Sequence, residues 1–235
     1  IFWLGITILE RVFGQTSDWS LLELCSPEHP LIRELCLRAP GTYAHSVMVA
    51  NLAEQAARAV GANPIHLRAM AYFHDIGKIG IDDQILRKQG KLTPDEWAIM
   101  KTHSQLGYQA LEQAAQDAEY SIDFLSMAKD IAHYHHEKWD GSGYPEGLSG
   151  NQIPISARIM ALADVFDALT TQRAYKRAFT LEQALLIIDE GRGTHFDPDV
   201  VNAFFARQEE FIRIATRNAN RETADMPIQT ALAIP

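Results

Sequence analysis

The feature that most limits the fold is a recurring helical rhythm with almost no competing strand signal. In the stretch TYAHSVMVANLAEQAARAV, residues 42–60, the side chains of Val49, Leu52, Ala53, Ala56 and Val60 fall on one stripe, and Gly61 follows as a stop. Asn63-Pro64 opens a second helix that runs through LRAMAYFHDIG. Thr93 caps a third, with Pro94 at the first helical position and Glu96 three residues after the cap. The same reading predicts a fourth helix over 122–136, a fifth over 156–169, a sixth starting at Thr180 and a long last one over 197–217. Sustained alternation of apolar and β-branched residues, the mark of strands, is nearly absent. The expected fold class is all-α, a helical bundle.

The longest break is WDGSGYPEGLSGNQIP, residues 139–154, with four glycines and two prolines. Such dense punctuation cannot be helix, and a loop of that length inside a compact domain is usually functional. The tail from Asn218 is polar, carries two prolines, and is expected to be weakly ordered. Residues 1–40 read as a helical linker. The chain begins with Ile rather than Met and so looks like a fragment or processed product. Its start, IFWLGITIL, is too short to span a bilayer, which takes about 20 residues, and lacks the basic start of a signal peptide. Two readings stay open: the end of a membrane helix, or a docking helix. The apolar character of Ile1 to Leu24 also predicts a homodimer through this segment.

A formal charge of -9 excludes a global basic field for duplex nucleic acid, so a phosphate-bearing substrate needs a local group of cations or metal. Cys25 and Cys36 are too few for a disulfide framework and read as buried thiols in a reducing compartment.

Nine histidines are unevenly spread. His74-Asp75 ends an apolar helix, where an unpaired carboxylate would be costly to bury and a metal would supply its partner. Taken alone, the pair could equally be solvated or salt-bridged. His45 lies on the preceding helix, His103 on the following one, His135-His136 at the end of the next, and Asp164 in the apolar helix IMALADVFDALT. Five His and two Asp from successive helices can converge at a bundle centre. Mixed imidazole and carboxylate ligation suits iron, manganese or zinc better than magnesium or calcium. His29, His66, His133 and His195 read as bystanders, with His133 ambiguous because it lies near the pair.

The strings HDIGKIGIDDQILRKQGKLTPDEW, His103, HHEKWDGSGYPEGL and ADVFDALTTQRAYK, in that order and spacing, closely resemble the HD-GYP family of cyclic di-GMP phosphodiesterases, from about Thr42 to Phe205. The resemblance implies an HD-domain bundle with an HD-GYP extension over 41–217. It implies one divalent metal, iron or manganese, on His45, His74, Asp75 and Asp164, and a second on Asp75 as a bridge with His103, His135 and His136. Some family members hold a third metal through a Glu where this chain has Gly41, so two are expected. Such a pair lowers the pKa of water and offsets charge growing on the phosphorus oxygens.

Asp75 and Lys78 are the expected catalytic residues. Lys78, four residues after His74, would share a helical face with it and reach a phosphate oxygen, or be an ordinary helix-end lysine. Substrate contacts are expected from Gly143, Tyr144 and Pro145 of the loop, with Tyr144 stacking on a base, and from Arg173 and Lys176. Trp139 and Tyr144 could instead anchor the loop, while Asp140 and Asp167 could be caps or pocket groups.

Residues before Thr42, from LLELCSPEHP onward, resemble the entry to the cytoplasmic HD domain of the seven-transmembrane HD family, which hydrolyses cyclic di-AMP. That would make the chain the cytoplasmic domain of a membrane protein. The GYP loop and the DALTTQRAYK segment favour cyclic di-GMP, cut to pGpG or onward to GMP. The alternatives are a cyclic di-AMP or mixed-dinucleotide phosphodiesterase, a non-catalytic cyclic-dinucleotide receptor, or an HD hydrolase of nucleotides lacking any need for the GYP loop.

Overall fold

The structure is a computed structural model that describes residues 28–117, 122–171 and 178–224, with Leu21, Cys25 and Ser26. The described helices are α1 (Pro30–Arg38), α2 (Pro40–Val60), α3 (Pro64–Ala71), α4 (Asp83–Leu86), α5 (Pro94–Lys101), α6 (His103–Asp117), α7 (Ile122–Tyr134), α8 (Ile155–Thr170), α9 (Leu181–Glu190), α10 (Pro198–Ala206) and α11 (Gln208–Ala224). Two short 3-10 segments, Ile76–Gly80 and Gly150–Gln152, interrupt them. No strand occurs among the described residues, only isolated bridges such as Asp140 with Ser149. The fold is all-α, as the sequence predicts.

The central helix is α2, which packs against α1, α3, α8, α10 and α11. Its predicted stripe is the buried one: Val49, Leu52, Ala53 and Ala56 face the core, while Val60 sits at the edge and α2 stops at Gly61. Ala50 and Ala57 are buried beside the stripe, and their small side chains let several helices approach α2 closely. The other central element is α8, in which Ile159, Met160, Leu162, Ala163 and Phe166 have no exposed surface. A helix apolar on nearly every side belongs in a core. Truncating Phe166 to Ala would cost about 3–5 kcal/mol. In α1, Ile32 and Leu35 are fully buried against the same core.

Local signals behave as read at several helix starts. Thr93 and Glu96 form a reciprocal capping box at α5, and Thr180 with Gln183 does the same at α9. Three expectations need correcting. The second helix stops at Ala71, not at Gly77, and the chain continues through i→i+3 bonds such as Phe73 N to Met70 O and Ile76 N to Phe73 O. The helix from Pro94 ends at Lys101, so His103 opens a separate helix, α6. The last long helix breaks at Arg207, whose φ of -124° leaves the helical region. That break folds Phe211 back onto Phe204, with centroids 4.6 Å apart, and onto Phe166. Both cysteines are free and half-buried, and burial pushes the Cys25 thiol up to about 11.

Candidate metal centre

The pair His74-Asp75 lies in the tight turn between α3 and the 3-10 segment, at the centre of the bundle and nearly without solvent exposure. The turn rests on the first turn of α6. A Cβ placed on Gly77 would lie 2.0 Å from His103 O and 2.4 Å from Gly107 N. No side chain fits there, and this backbone contact brings Asp75 to His103. His45 comes from α2, His135 and His136 from the turn that ends α7, and Asp164 from α8.

Two groups of ligand-type atoms result: Asp75, His103, His135 and His136 in one, and His45, His74 and Asp75 in the other, with the atoms of each group within 4.8 Å of one another. Asp75 belongs to both. Its Oδ2 lies 3.4 Å from His74 Nε2, and its Oδ1 lies 3.4 Å from His103 Nε2 and 3.9 Å from His135 Nε2. In three of the rings Nδ1 bonds a backbone carbonyl: His74 to Ala71 O at 2.6 Å, His103 to Met100 O at 2.7 Å and His135 to Ile131 O at 2.8 Å. Those carbonyls hold the proton on Nδ1 and leave a lone pair on each Nε2.

His74 Nε2, Asp75 Oδ1, His103 Nε2 and His135 Nε2 are buried and have no hydrogen-bond partner. Buried polar atoms are normally paired, and each orphan costs about 1–3 kcal/mol. Four that converge, all of them on atoms able to ligate a metal, make this cluster a candidate metal site. The donor set fits a divalent cation that takes both imidazole and carboxylate.

His45 is held differently. Its Nε2 is 2.8 Å from Asp164 Oδ1 and its Nδ1 is 2.5 Å from Asp167 Oδ2. Burial lowers its pKa, but the two carboxylates outweigh that and push it up to about 9. Burial is the main cause that takes His136 down to about 3 and lowers His103 and His135, so these rings are neutral and free to ligate. Asp75 is raised by burial yet ends well below the usual carboxylate range, because Lys78, His74 and His103 surround it. Lys78 does not share a helical face with His74: it lies in the 3-10 segment, and its ammonium bonds Asp75 Oδ2 at 2.5 Å.

The loop 139–154 is irregular apart from its 3-10 turn and lies against the end of α7. Tyr144 N donates to His136 O at 3.2 Å, and the Tyr144 ring stacks on His136 with centroids 4.8 Å apart. A Cβ on Gly143 would lie 2.4 Å from Lys138 N, so only glycine passes there. Pro145 is exposed beyond it. Asp140 is structural, closing a turn within the loop by accepting from Ser142 N and Oγ. His133 bonds Glu146 at 3.1 Å and joins neither ligand group. Arg173 and Lys176 lie outside the described residues.

Two contributors escape a motif-based reading. Glu137 is buried, and its Oε1 accepts from Glu146 N at 2.7 Å and Gly147 N at 3.0 Å, which ties the loop down. Asp167, left open between cap and pocket group, is the partner of His45. Its signal in the sequence is a carboxylate one turn after Asp164 on an otherwise apolar helix.

A helical bundle closed around a buried His/Asp cluster defines the class. Residues 30–200 match the HD-domain family, and the chain belongs to it. A probable cyclic di-GMP phosphodiesterase of Vibrio cholerae is 54% identical over 159 residues, which make up 68% of this chain and 36% of the relative. A 3'3'-cGAMP-specific phosphodiesterase of the same organism is 42% identical over 180 residues, 75% of this chain and 33% of the relative. The chain thus spans about a third of the length of these curated relatives. The solved HD domain of the L. monocytogenes phosphodiesterase PgpH, in complex with cyclic-di-AMP, matches with a TM-score of 0.52 at 22% identity, over 81% of this chain and 95% of that one. That likeness is one of fold. The resemblance of the stretch before Thr42 to the seven-transmembrane family is not supported by these matches. No helix among the described residues is long and apolar enough to cross a membrane, and residues 1–20 lie outside them.

Proposed function

We propose that this domain is a metal-dependent phosphodiesterase that opens the ring of cyclic di-GMP to linear pGpG, with GMP the product of any second cut. The observation that carries the reading is the set of buried, unpartnered ligand atoms on His74, Asp75, His103 and His135. The names of the relatives supply the substrate class.

Two cations, iron or manganese, are assigned to the two groups. His45, His74 and Asp75 would hold one, joined by Asp164, which lies outside that group but against His45 Nε2; Asp75 as a bridge, with His103, His135 and His136, would hold the other. When bound, such ions lower the pKa of water and act as Lewis acids toward a phosphoryl oxygen. The chain's own groups do the rest. The carbonyls behind the histidines keep each lone pair aimed inward, and Asp75 offers one oxygen to each group. Lys78 steadies Asp75 and supplies a cation near the phosphate. Tyr144, Gly143 and Pro145 border the site as pocket groups, and Arg173 and Lys176 are assigned to the nucleotide from the sequence pattern. Membrane attachment, a cytoplasmic setting and pairing with a second copy all depend on the segment Ile1 to Leu24, and light scattering at two concentrations tests the last.

Protein reconstituted anaerobically with iron(II) or manganese(II) is incubated with cyclic di-GMP, cyclic di-AMP and the mixed dinucleotide, beside an Asp75→Ala control. Preferred, Asp75-dependent loss of cyclic di-GMP supports the reading. Preference for the mixed dinucleotide, favoured by the 42%-identical relative, or for cyclic di-AMP reassigns the substrate. Binding without turnover would make the domain a receptor.

A further inference from the structure

Trp97 and Lys101 lie one turn apart on α5 and so share a face of that helix. Both reach the same ring. The Trp97 indole meets Tyr144 edge-on, centroids 6.4 Å apart at 83°, and Lys101 Nζ sits 5.8 Å from the Tyr144 centroid. Tyr144 in turn stacks on His136 at 28°. The rings of His136, Tyr144 and Trp97 form a file that leads from the ligand cluster outward, and Trp97 at its end is 48% exposed.

Each member of the file is differently placed to meet a nucleotide. His136 is turned to the cluster. Tyr144 already has one face committed to His136, so it cannot be sandwiched between that ring and a base. Trp97 is half-exposed, so part of its indole is open to a ligand. The charge argument points the same way. A chain with a formal charge of -9 repels a doubly anionic substrate, so capture needs cations placed at the mouth of the site. Lys78 sits inside the site, on Asp75 Oδ2; Lys101 stands farther out, beside the two aromatic rings.

We propose that Trp97 and Lys101 form the outer wall of the nucleotide pocket, Trp97 stacking on a purine base and Lys101 pairing with a phosphodiester oxygen. The proposal rests on the functional reading above and adds the base-stacking group to it: an aromatic residue on α5, outside the glycine-rich loop. These are binding residues rather than catalytic ones, because neither touches the ligand cluster. Their removal therefore weakens capture of the substrate without slowing the bound complex.

The test is steady-state kinetics of the manganese-loaded protein with cyclic di-GMP, comparing the unaltered chain with Trp97→Ala, Trp97→Phe and Lys101→Gln. Loss of a base–aromatic stack raises KM by about tenfold in Trp97→Ala, with kcat kept within about twofold and KM largely restored in Trp97→Phe. In Lys101→Gln, KM rises and its dependence on added salt flattens, because a screened charge pair has gone. Turnover that continues with KM unmoved in both Trp97→Ala and Lys101→Gln overturns this inference alone. If Trp97→Ala does not fold, stopped-flow indole fluorescence decides: quenching by cyclic di-GMP in the unaltered protein and its loss in Trp97→Phe supports the stack, and equal quenching in both overturns it. Absence of turnover of any cyclic dinucleotide by the unaltered protein sinks the functional reading, and this inference with it.

Discussion

Asp167 Oδ2 lies 2.5 Å from Nδ1 of His45, across 122 residues of sequence. The other nitrogen of that ring faces Asp164 Oδ1 at 2.8 Å. A neutral ring donating to Asp167 would aim its remaining lone pair at a carboxylate, which is repulsive unless something positive stands between them. A second proton on His45 does this in the metal-free protein; a bound cation would do it otherwise. Asp167 thus orients His45, much as backbone carbonyls orient His74, His103 and His135.

Replacing Asp167 by Asn should therefore lower metal affinity without unfolding the protein. Loss of a group that orients a ligand typically weakens binding by about 10–100-fold. Competition with a chelator of known affinity measures it. An affinity equal to that of the unaltered protein would show that Asp167 does not position His45.

The same geometry fixes the sign of a proton linkage. With its pKa pushed up to about 9 by the two carboxylates against the pull of burial, His45 carries its extra proton at neutral pH. A metal must displace that proton, so loading at roughly pH 7.5 should release about one proton from this residue. Affinity should climb as pH rises toward about 9 and then level off. Titration calorimetry in two buffers of different ionisation enthalpy reads the release, and His45→Ala should abolish that part of it.

Gly77 is expected to tolerate no side chain. A Cβ there would meet His103 O at 2.0 Å, backbone against backbone, and neither the 3-10 turn nor α6 can yield without separating Asp75 from His103. Gly77→Ala should cost about 3 kcal/mol, near the upper end for overpacked sites. Thermal melting should show a Tm lower by roughly 10 °C, given about 2–4 °C per kcal/mol for a domain of this size. A melting temperature within experimental error of the unaltered protein would contradict the close contact.

Glu137→Ala should free the glycine-rich loop. It removes the acceptor for Glu146 N and Gly147 N, and hydrogen bonds to a charged group contribute about 1.5–3 kcal/mol each. Limited proteolysis should then cut within residues 139–154 faster than in the unaltered chain. Glu137→Gln keeps an oxygen acceptor and should restore much of the protection. Equal cleavage rates in all three proteins would remove Glu137 from this role.

Much of the molecule is legible in local sequence patterns. Stripes such as Val49, Leu52, Ala53 and Ala56, and capping pairs such as Thr93 with Glu96, belong to this kind, since helical period and end chemistry depend on neighbours within one or two turns. The expected ligand residues can be named because ligands of one kind recur in order along the chain. Less legible are the ends of α3 and α5 and the break at Arg207. At the end of α3 and at Arg207, packing overrides local preference: Gly77 presses on α6, and Phe211 turns back onto Phe204.

The sequence by itself determined an all-α bundle and the identities of His45, His74, Asp75, His103, His135, His136 and Asp164 as a candidate ligand set. Only the tertiary structure decided what those residues face. The clamp of Asp167 on His45, the Glu137 tether and the file from His136 through Tyr144 to Trp97 all join residues that local periodicity does not relate. Periodicity carries no information about such distances. They are set by which helices pack together, and that depends on the summed burial of the whole core rather than on any one segment.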